Sequence, residues 1–302
     1  MKALDRETAR RLLPRRPEKG QKWAFGRTLL VCGSAAMPGA AVLAGLGALR
    51  SGVGLVQLAT VEEAAAAARI WLPEALLLSL TRQEGLPGGI ARENAGRLLE
   101  QGTRAHSLLF GCGVGRSEDG AALLERLCGG FSGTVVLDAD GLNLLAEAPE
   151  RLRQLRHRAV LTPHIGEFCR LSGRSREEVE AGPEAAAETF AREWGCVVVL
   201  KGARTVVTDG QRGFVLEGAN SGMAKGGSGD LLAGLTAGLC AQGQGQLTER
   251  AALAVWLHHR AGVLARQRLG AFAMLPRDVA EALAGAFAEL EEGCDPLGTA
   301  EA

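Results

Sequence analysis

Lysine is almost missing from this sequence: Lys2, Lys19, Lys22, Lys201 and Lys225 stand against twenty-nine arginines, and only two of the five lie beyond position 22. Where arginine serves nearly every basic position, a retained lysine marks a place suited to a compact ammonium rather than a planar guanidinium. Excess charge of either sign is missing too. Lys plus Arg and Asp plus Glu total 34 each, so no global field draws the chain to nucleic acid or an anionic membrane. The seven cysteines (Cys32, Cys112, Cys128, Cys169, Cys196, Cys240 and Cys294) are odd in number and form no C-x-x-C pair. That pattern argues against a disulfide framework and a zinc site, and it fits a reducing, cytoplasmic compartment. The N-terminal segment, charged throughout, lacks the apolar stretch of a secretory signal. Residues 28–49 carry no charge, but Pro38, Gly33, Gly39, Gly45 and Gly47 interrupt them, so they read as strand, loop and buried helix instead of a membrane span.

What is abundant is glycine, 42 of 302 residues, without a Gly-X-Y period. Short Leu- or Val-rich runs ending in glycine alternate with Ala-rich amphipathic segments, the pattern of strand–helix units on a parallel sheet. Strands are expected near 28–32, 54–59, 76–80, 107–110, 134–138, 159–161, 196–200, 204–208 and 213–217. Helices are expected near 40–50, 61–69, 89–101, 119–128, 141–146, 166–172 and 184–194, and three long ones near 228–242, 248–266 and 277–291. The strands from 196 to 217 are joined by short polar turns and should be antiparallel hairpins added to the parallel sheet. The expected class is α/β, a mixed and mostly parallel sheet with helices on both faces. With no linker, charge block or repeat, the chain reads as a loose N-terminal arm (1–27), one domain (28–291) and a flexible acidic tail (292–302).

Chemistry concentrates in four segments. In GMAKGGSGDLLAG, Gly226, Gly227 and Gly229 lead into an apolar helix, so backbone N–H groups can point from a helix N-terminus at an anion. Asp230 sits in that helix's first turn, where a carboxylate would repel bound phosphate unless a cation or a proton-transfer role compensates. An ordinary first-turn acid beside a turn is the competing reading. In VVVLKGARTVV, Lys201-Gly202 ends a hydrophobic strand, where a lysine can meet a phosphate and residues 202–205 can hold a nucleotide; a solvated hairpin corner is the alternative. In VVLDADGLNLLA and LTPHIGEF, Asp138, Asp140 and Asn143 can orient a polar ligand or hold hydrated magnesium. His164 and Glu167 flank the next strand's mouth, and each of these is also readable as a cap or turn residue. Lastly, the loops following Cys32 and Phe110 place glycine turns after strands. His258 and His259 lie in a helix, one of them packed on the core, and receive no role.

Several fingerprints are missing: G-x-x-x-x-G-K-[ST], an intact G-x-G-x-x-G, a G-x-S-x-G elbow and H-E-x-x-H do not occur, which removes the commonest nucleotide, hydrolase and zinc-protease readings.

In combination, GSAAMPGAAVLAGLGALRSGVGLV, GCGVGR, VVLDADGLNLLA, LTPHIGEF, KGARTVV and GMAKGGSGDLLAG resemble the ADP-dependent NAD(P)HX dehydratases, nicotinamide nucleotide repair enzymes of the ribokinase-like superfamily, over about residues 14–290. The resemblance implies a three-layer α/β/α sandwich. It implies substrate contacts at Ala40, Gly115, His164 and Asp230, with Asp230 catalytic. Its nucleotide contacts would fall at Lys201, Gly202, Ala203, Arg204, Thr205 and Gly229, beside Gly226 and Gly227 of the glycine-loop reading, with Mg2+ as cofactor and ADP or ATP as co-substrate. The implied reaction dehydrates NADHX and NADPHX to NADH and NADPH, releasing AMP (or ADP) and phosphate, in a homo-oligomer, a tetramer by resemblance. The chain departs from the family where relatives commonly read GNPGMA: GANSGMA puts Ser221 in place of a rigid proline, which questions the loop's stiffness. Only a short arm precedes residue 28, so the epimerase activity fused to some relatives is not expected. The rival is a ribokinase-like kinase for a vitamin precursor or sugar, with the same glycine loop and aspartate.

Overall fold

The computed structural model describes residues 1–85 and 88–292. Its strands form a single mixed sheet: β1 (Lys2–Ala3), β2 (Arg27–Val31), β3 (Leu55–Val61), β4 (Leu76–Leu80), β5 (Ser107–Phe110), β6 (Thr134–Leu137), β7 (Ala159–Leu161), β8 (Val197–Leu200), β9 (Arg204–Thr208) and β10 (Gly213–Glu217). Their spatial order is β1-β10-β9-β8-β7-β6-β5-β2-β3-β4. The helices are α1 (Arg6–Leu12), α2 (Pro38–Arg50), α3 (Glu62–Trp71), α4 (Ala95–Gly102), α5 (Glu118–Gly130), α6 (Asp140–Ala146), α7 (Ile165–Ser172), α8 (Arg176–Ala181), α9 (Pro183–Trp194), α10 (Ser228–Ala241), α11 (Leu247–Ala273) and α12 (Pro276–Glu291).

The central strands are apolar without alternation because both faces are covered; Leu29, Leu30, Leu108, Leu109 and Phe110 are all fully buried. The helices α2, α3, α10 and α11 lie on one face with α12 behind them, and the run α4 to α9, each touching the next, covers the other. From β4 round to β8 the strands are parallel, and β9 alone runs against its neighbours, as the short turns in this stretch require. After β2-β3-β4 the chain returns to place β5 on the other side of β2, making this the topological switch point, where open α/β sheets bind ligands in a crevice at the strands' C-terminal ends; the loops following β2 and β5 meet there, the Gly33 N–H donating to the Cys112 carbonyl at 2.8 Å.

Three expectations are corrected. The N-terminal arm is not loose: Lys2 and Ala3 pair in parallel with Phe214 and Val215, Thr8 and Ala9 of α1 are buried, and Arg6 Nε donates to the Glu289 carbonyl at 3.1 Å. The helix expected from 89 begins only at Ala95, because Ile90 bridges to Arg82 and Asn94 satisfies the backbone of Thr81 through its side-chain amide. A short helix, α8, appears where none was expected, fixed by reciprocal capping bonds between Ser175 and Glu178. The tail from 293 onward, with Cys294, lies outside the described residues.

What positions the crevice is the contact of α2 with α10, made backbone to backbone. A Cβ on Gly47 would stand 2.1 Å from the Leu231 carbonyl oxygen, and one on Gly234 would stand 1.9 Å from that of Ala44. No side chain fits there without separating the helices. Gly234→Ala should therefore destabilise the protein by at least ~1–3 kcal/mol, a fall in melting temperature of several degrees. Thermal unfolding followed by circular dichroism is the check, and a variant that melts like the wild type would show that the two helices part freely.

Candidate active site

Asp138 follows β6 and is 2% exposed. Its Oδ1 accepts hydrogen bonds from Lys201 Nζ at 2.8 Å and from Thr162 Oγ1 at 2.7 Å, while its Oδ2 lies 3.7 Å from the Cys112 thiol. The ends of β5, β6, β7 and β8 thus converge on one carboxylate. Between Asp138 and Asp140 the chain turns through Ala139 at φ 49° and ψ −116°, a conformation costly for a residue with a side chain by ~1–3 kcal/mol. The turn sends Asp138 into the sheet's end and brings Asp140 back to accept the Gly115 N–H at 2.9 Å. Gly111 makes it possible, since a Cβ there would stand 2.1 Å from the Asp138 carbonyl oxygen.

Opposite this turn stands the N-terminus of α10. Its glycine loop is stiffened despite the serine at 221: Asn220 Oδ1 accepts the Gly222 N–H at 3.1 Å and closes a 3-10 turn over Ser221–Met223. Gly227 caps α10 at φ 97°. Gly229 rests on the buried pair, a Cβ there falling 3.4 Å from Lys201 Nζ and 3.7 Å from Asp138 Oδ2, whereas the side of Gly226 where a Cβ would stand is open. N–H groups at a helix start have no earlier turn to bond, so those of Gly226, Gly227 and Gly229 can serve an anion, while the Ser228 N–H donates to the Lys225 carbonyl at 3.3 Å.

Asp230 faces the same space. One oxygen each of Asp230 and Asp138 and the Cys112 sulfur lie within 4.8 Å of one another. Burial pushes the Asp230 carboxyl up to about 6, and the neighbouring Asp138 charge adds to the rise against the opposing pull of the Cys112 thiol and the Lys201 ammonium. Cys112 itself, hydrogen bonded to Cys32 and buried, is held well above the usual thiol range and remains a neutral donor. Lys201 is pulled down by burial, but Asp138 and Glu167 outweigh that and keep it above its ordinary value, firmly charged. Glu167 is raised by burial, and His164 is lowered by burial and by Lys201. These two form a reciprocal cap at the start of α7, Glu167 Oε2 accepting the His164 N–H at 2.9 Å and His164 Nδ1 accepting the Glu167 N–H at 3.3 Å.

The residues singled out in the sequence divide accordingly. Asp138, Asp140, Gly115, His164, Glu167, Lys201, Gly229 and Asp230 gather at one end of the sheet, and Ala40 joins them from α2, in reach of the turn at Gly113. Asn143 turns away, its Oδ1 accepting from Arg170 Nε at 3.0 Å. Arg204 is engaged by Glu184 and Glu217, and Thr205 Oγ1 donates to the Gly202 carbonyl at 2.9 Å while the Ala203 carbonyl accepts from Gly218. The 202–205 turn therefore satisfies much of its own polarity. Lys201 is no solvated corner; its ammonium is spent on Asp138. Three contributors were not read from the sequence: Thr162, Cys112 and the strained Ala139. The first two stand inside quoted motifs, LTPH and GCGVG, and a polar residue at a strand's end beside a buried acid is the signal that would have found them. Of the two histidines set aside, His258 is the buried one. Burial pushes it down to about 4, and its Nε2 has no hydrogen-bond partner among the described residues.

Because the Asp230 pKa rises on folding, the folded state holds that proton in a window where the unfolded chain has released it, from about 4 up to about 6. Stability contributed by this group therefore falls as pH rises through the window. Asp230→Asn should melt higher than wild type near pH ~7, and the gain should vanish below pH ~4. Melting curves of both proteins across this range decide it; a variant less stable than wild type near neutrality would contradict the shift.

The chain is similar to known proteins along most of its length. The family model of NAD(P)H-hydrate dehydratase matches residues 28–284. The chain is 38% identical over 275 residues to the ADP-dependent (S)-NAD(P)H-hydrate dehydratase of Xanthomonas campestris, covering 91% of this chain and 92% of that protein. It is 36% identical to the bifunctional NAD(P)H-hydrate repair enzyme of Moorella thermoacetica over 94% of its own length, but spans only 53% of that relative. Among solved structures it is similar to a ribokinase-like superfamily protein from Enterococcus faecalis (TM-score 0.81, 25% identity, 96% of each chain). It is also similar to the ADP/ATP-dependent NAD(P)H-hydrate dehydratase of Bacillus subtilis co-crystallised with ATP and Mg2+ (TM-score 0.79, 26% identity, 96% of this chain and 99% of that one). With a ribokinase-like sandwich, the crevice at its strand ends and a family match across most of its length, the chain belongs to the NAD(P)H-hydrate dehydratase family.

Proposed function

We propose that this chain dehydrates NADHX and NADPHX to NADH and NADPH at the expense of ADP or ATP, with Asp230 as the base. The observation that carries the reading is the contrast between two neighbouring aspartates. Asp138 is paired with an ammonium, while Asp230 forms no ion pair among the described residues and its carboxyl is pushed up to about 6 at the mouth of a helix N-terminus. A base of that kind is ionised at neutral pH yet holds a proton well. The hydrated nicotinamide ring carries a hydroxyl, and hydroxide leaves poorly. Asp230 takes the hydroxyl proton as its oxygen attacks the terminal phosphorus of the nucleotide, and the bond to the leaving AMP (or ADP) oxygen breaks. The N–H groups of Gly226, Gly227 and Gly229 and the α10 dipole hold the phosphoryl oxygens. The ring nitrogen's lone pair then expels phosphate, and loss of a proton from the adjacent ring carbon restores the reduced nicotinamide.

Ala40, Gly115 and His164 line the substrate side in this reading, and Lys201 to Thr205 the nucleotide side. Lys201 acts there through Asp138 and the seat of Gly229 rather than as a free phosphate ligand. The group of possible metal ligands among the described residues, Cys112, Asp138 and Asp230, includes a thiol, a poor ligand for a hard cation, so the residues that would hold a hydrated magnesium are the carboxylates of Asp138, Asp140 and Asp230. Such an ion would neutralise phosphoryl charge. The expected form is a cytoplasmic homo-oligomer. No described helix is long and apolar enough to cross a membrane.

Purified protein given NADHX, magnesium and ADP or ATP should release NADH and phosphate in equal amounts. Stable phosphorylated product without phosphate release would favour the kinase reading instead. Asp230→Asn should lower turnover by ~10²- to 10⁴-fold while calorimetry still shows ADP binding. In the wild type, kcat/KM should climb with pH through about 6, the value at which the free carboxyl ionises. Near-normal turnover in the Asn variant would end the assignment of the base.

A further inference from the structure

Lys225, the other lysine retained beyond position 22, does not point at the crevice. Its Nζ donates to the carbonyl oxygens of Phe272 and Met274, each at 2.7 Å. Those carbonyls lie at the end of α11 and the start of the link to α12, just past Gly270, where φ 76° and ψ 164° break the helix. Carbonyls at a helix end have no partner in the helix, so one ammonium satisfies two of them from the side. The same corner touches the glycine loop at two more places: a Cβ on Gly222 would stand 2.2 Å from the Met274 sulfur and one on Gly227 3.4 Å from Pro276, while Leu43 of α2 would lie 2.3 Å from that same Cβ on Gly227. The Lys225 carbonyl, in turn, accepts the Ser228 N–H at 3.3 Å, where α10 begins.

We propose that Lys225 is a positioning residue for the reaction: by bonding the Phe272 and Met274 carbonyls it fixes the path of Gly226–Gly229, and so the aim of the phosphate-binding N–H groups and of the Asp230 carboxylate. Both oxygens are reached by a single nitrogen at equal distance, which a compact ammonium does and a planar guanidinium, with donors in fixed directions, does less well. This gives a physical reason for lysine here in a chain that otherwise uses arginine. The inference rests on the dehydratase reading above.

The test compares wild type, Lys225→Met and Lys225→Arg by ADP–magnesium calorimetry and by steady-state turnover with NADHX. Lys225→Met should weaken ADP binding and raise the KM for ADP about tenfold, as expected for loss of charge-assisted bonds. The KM for NADHX should move less than twofold, and Lys225→Arg should recover part of the loss. A brace that only holds up the α11–α12 corner would lower the melting temperature and leave the ADP dependence alone; that outcome overturns the inference. Should Lys225→Met fail to fold, Lys225→Gln, which keeps donors on one nitrogen, is read instead: severalfold weaker ADP binding supports the role and unchanged binding overturns it. If the wild type itself neither binds ADP nor releases NADH, the functional reading fails and takes this inference with it. If the wild type does both and Lys225→Met matches it, this inference alone fails.

Discussion

A buried ion pair, Lys201 with Asp138, ties together four strand ends that the chain visits far apart: Cys112 after β5, Asp138 after β6, Thr162 after β7 and Lys201 after β8. Taking two charges out of water is expensive, and such a pair is stabilising only when the remaining lone pairs and protons are met. Here the Thr162 hydroxyl takes up a share of the Asp138 oxygen, and the Cys112 thiol, kept protonated, faces the other. Replacing the pair with apolar groups would cost the fold little in principle. It would cost the site its asymmetry, because two aspartates a few ångströms apart would no longer differ. With Lys201 in place, Asp138 is a paired platform under Gly229, whereas Asp230 forms no ion pair among the described residues and is the carboxylate proposed to exchange a proton.

The backbone around this pair is arranged to match. Close contact of α2 with α10 through Gly47 and Gly234 sets the depth at which α10 meets the strand ends. The glycine loop is set from the far side by the α11–α12 corner. Strain is concentrated in the one residue, Ala139, that separates a buried acid from one bonded to a backbone amide. These are independent constraints on one small volume, as the proposed phosphoryl transfer would need: there is little for a protein to do in that chemistry beyond holding donors, base and leaving group in line.

Much of this was legible in the sequence because it is local. The apolar runs ending in glycine gave every strand from β2 to β10 within a few residues, and a glycine run entering an apolar helix marked the start of α10, with Asp230 in its first turn. The failures are non-local. Lys2–Ala3 is a strand only because β10 offers an edge more than two hundred residues later. The partners of Lys201 and Arg204 are non-local as well: Asp138 reaches Lys201 from the end of β6, and Glu184 and Glu217 reach Arg204 from α9 and β10. No property of alanine announces the φ of Ala139; its neighbours and Gly111 impose it. Lysine scarcity singled out Lys201 and Lys225, and both ammoniums bond the protein's own oxygens, which only the fold brings to them.

If pairing of Asp138 with Lys201 divides two adjacent carboxylates into a platform and a base, the division is visible in a titration of the Asp230 carboxyl carbon by NMR in the protein alone and in Lys201→Met. The midpoint should be about 6 in the wild type and should move higher when the ammonium is gone and the repulsion from Asp138 is no longer offset. A wild-type midpoint near the ordinary carboxylate value of 3.8, or one indifferent to Lys201, would contradict that division.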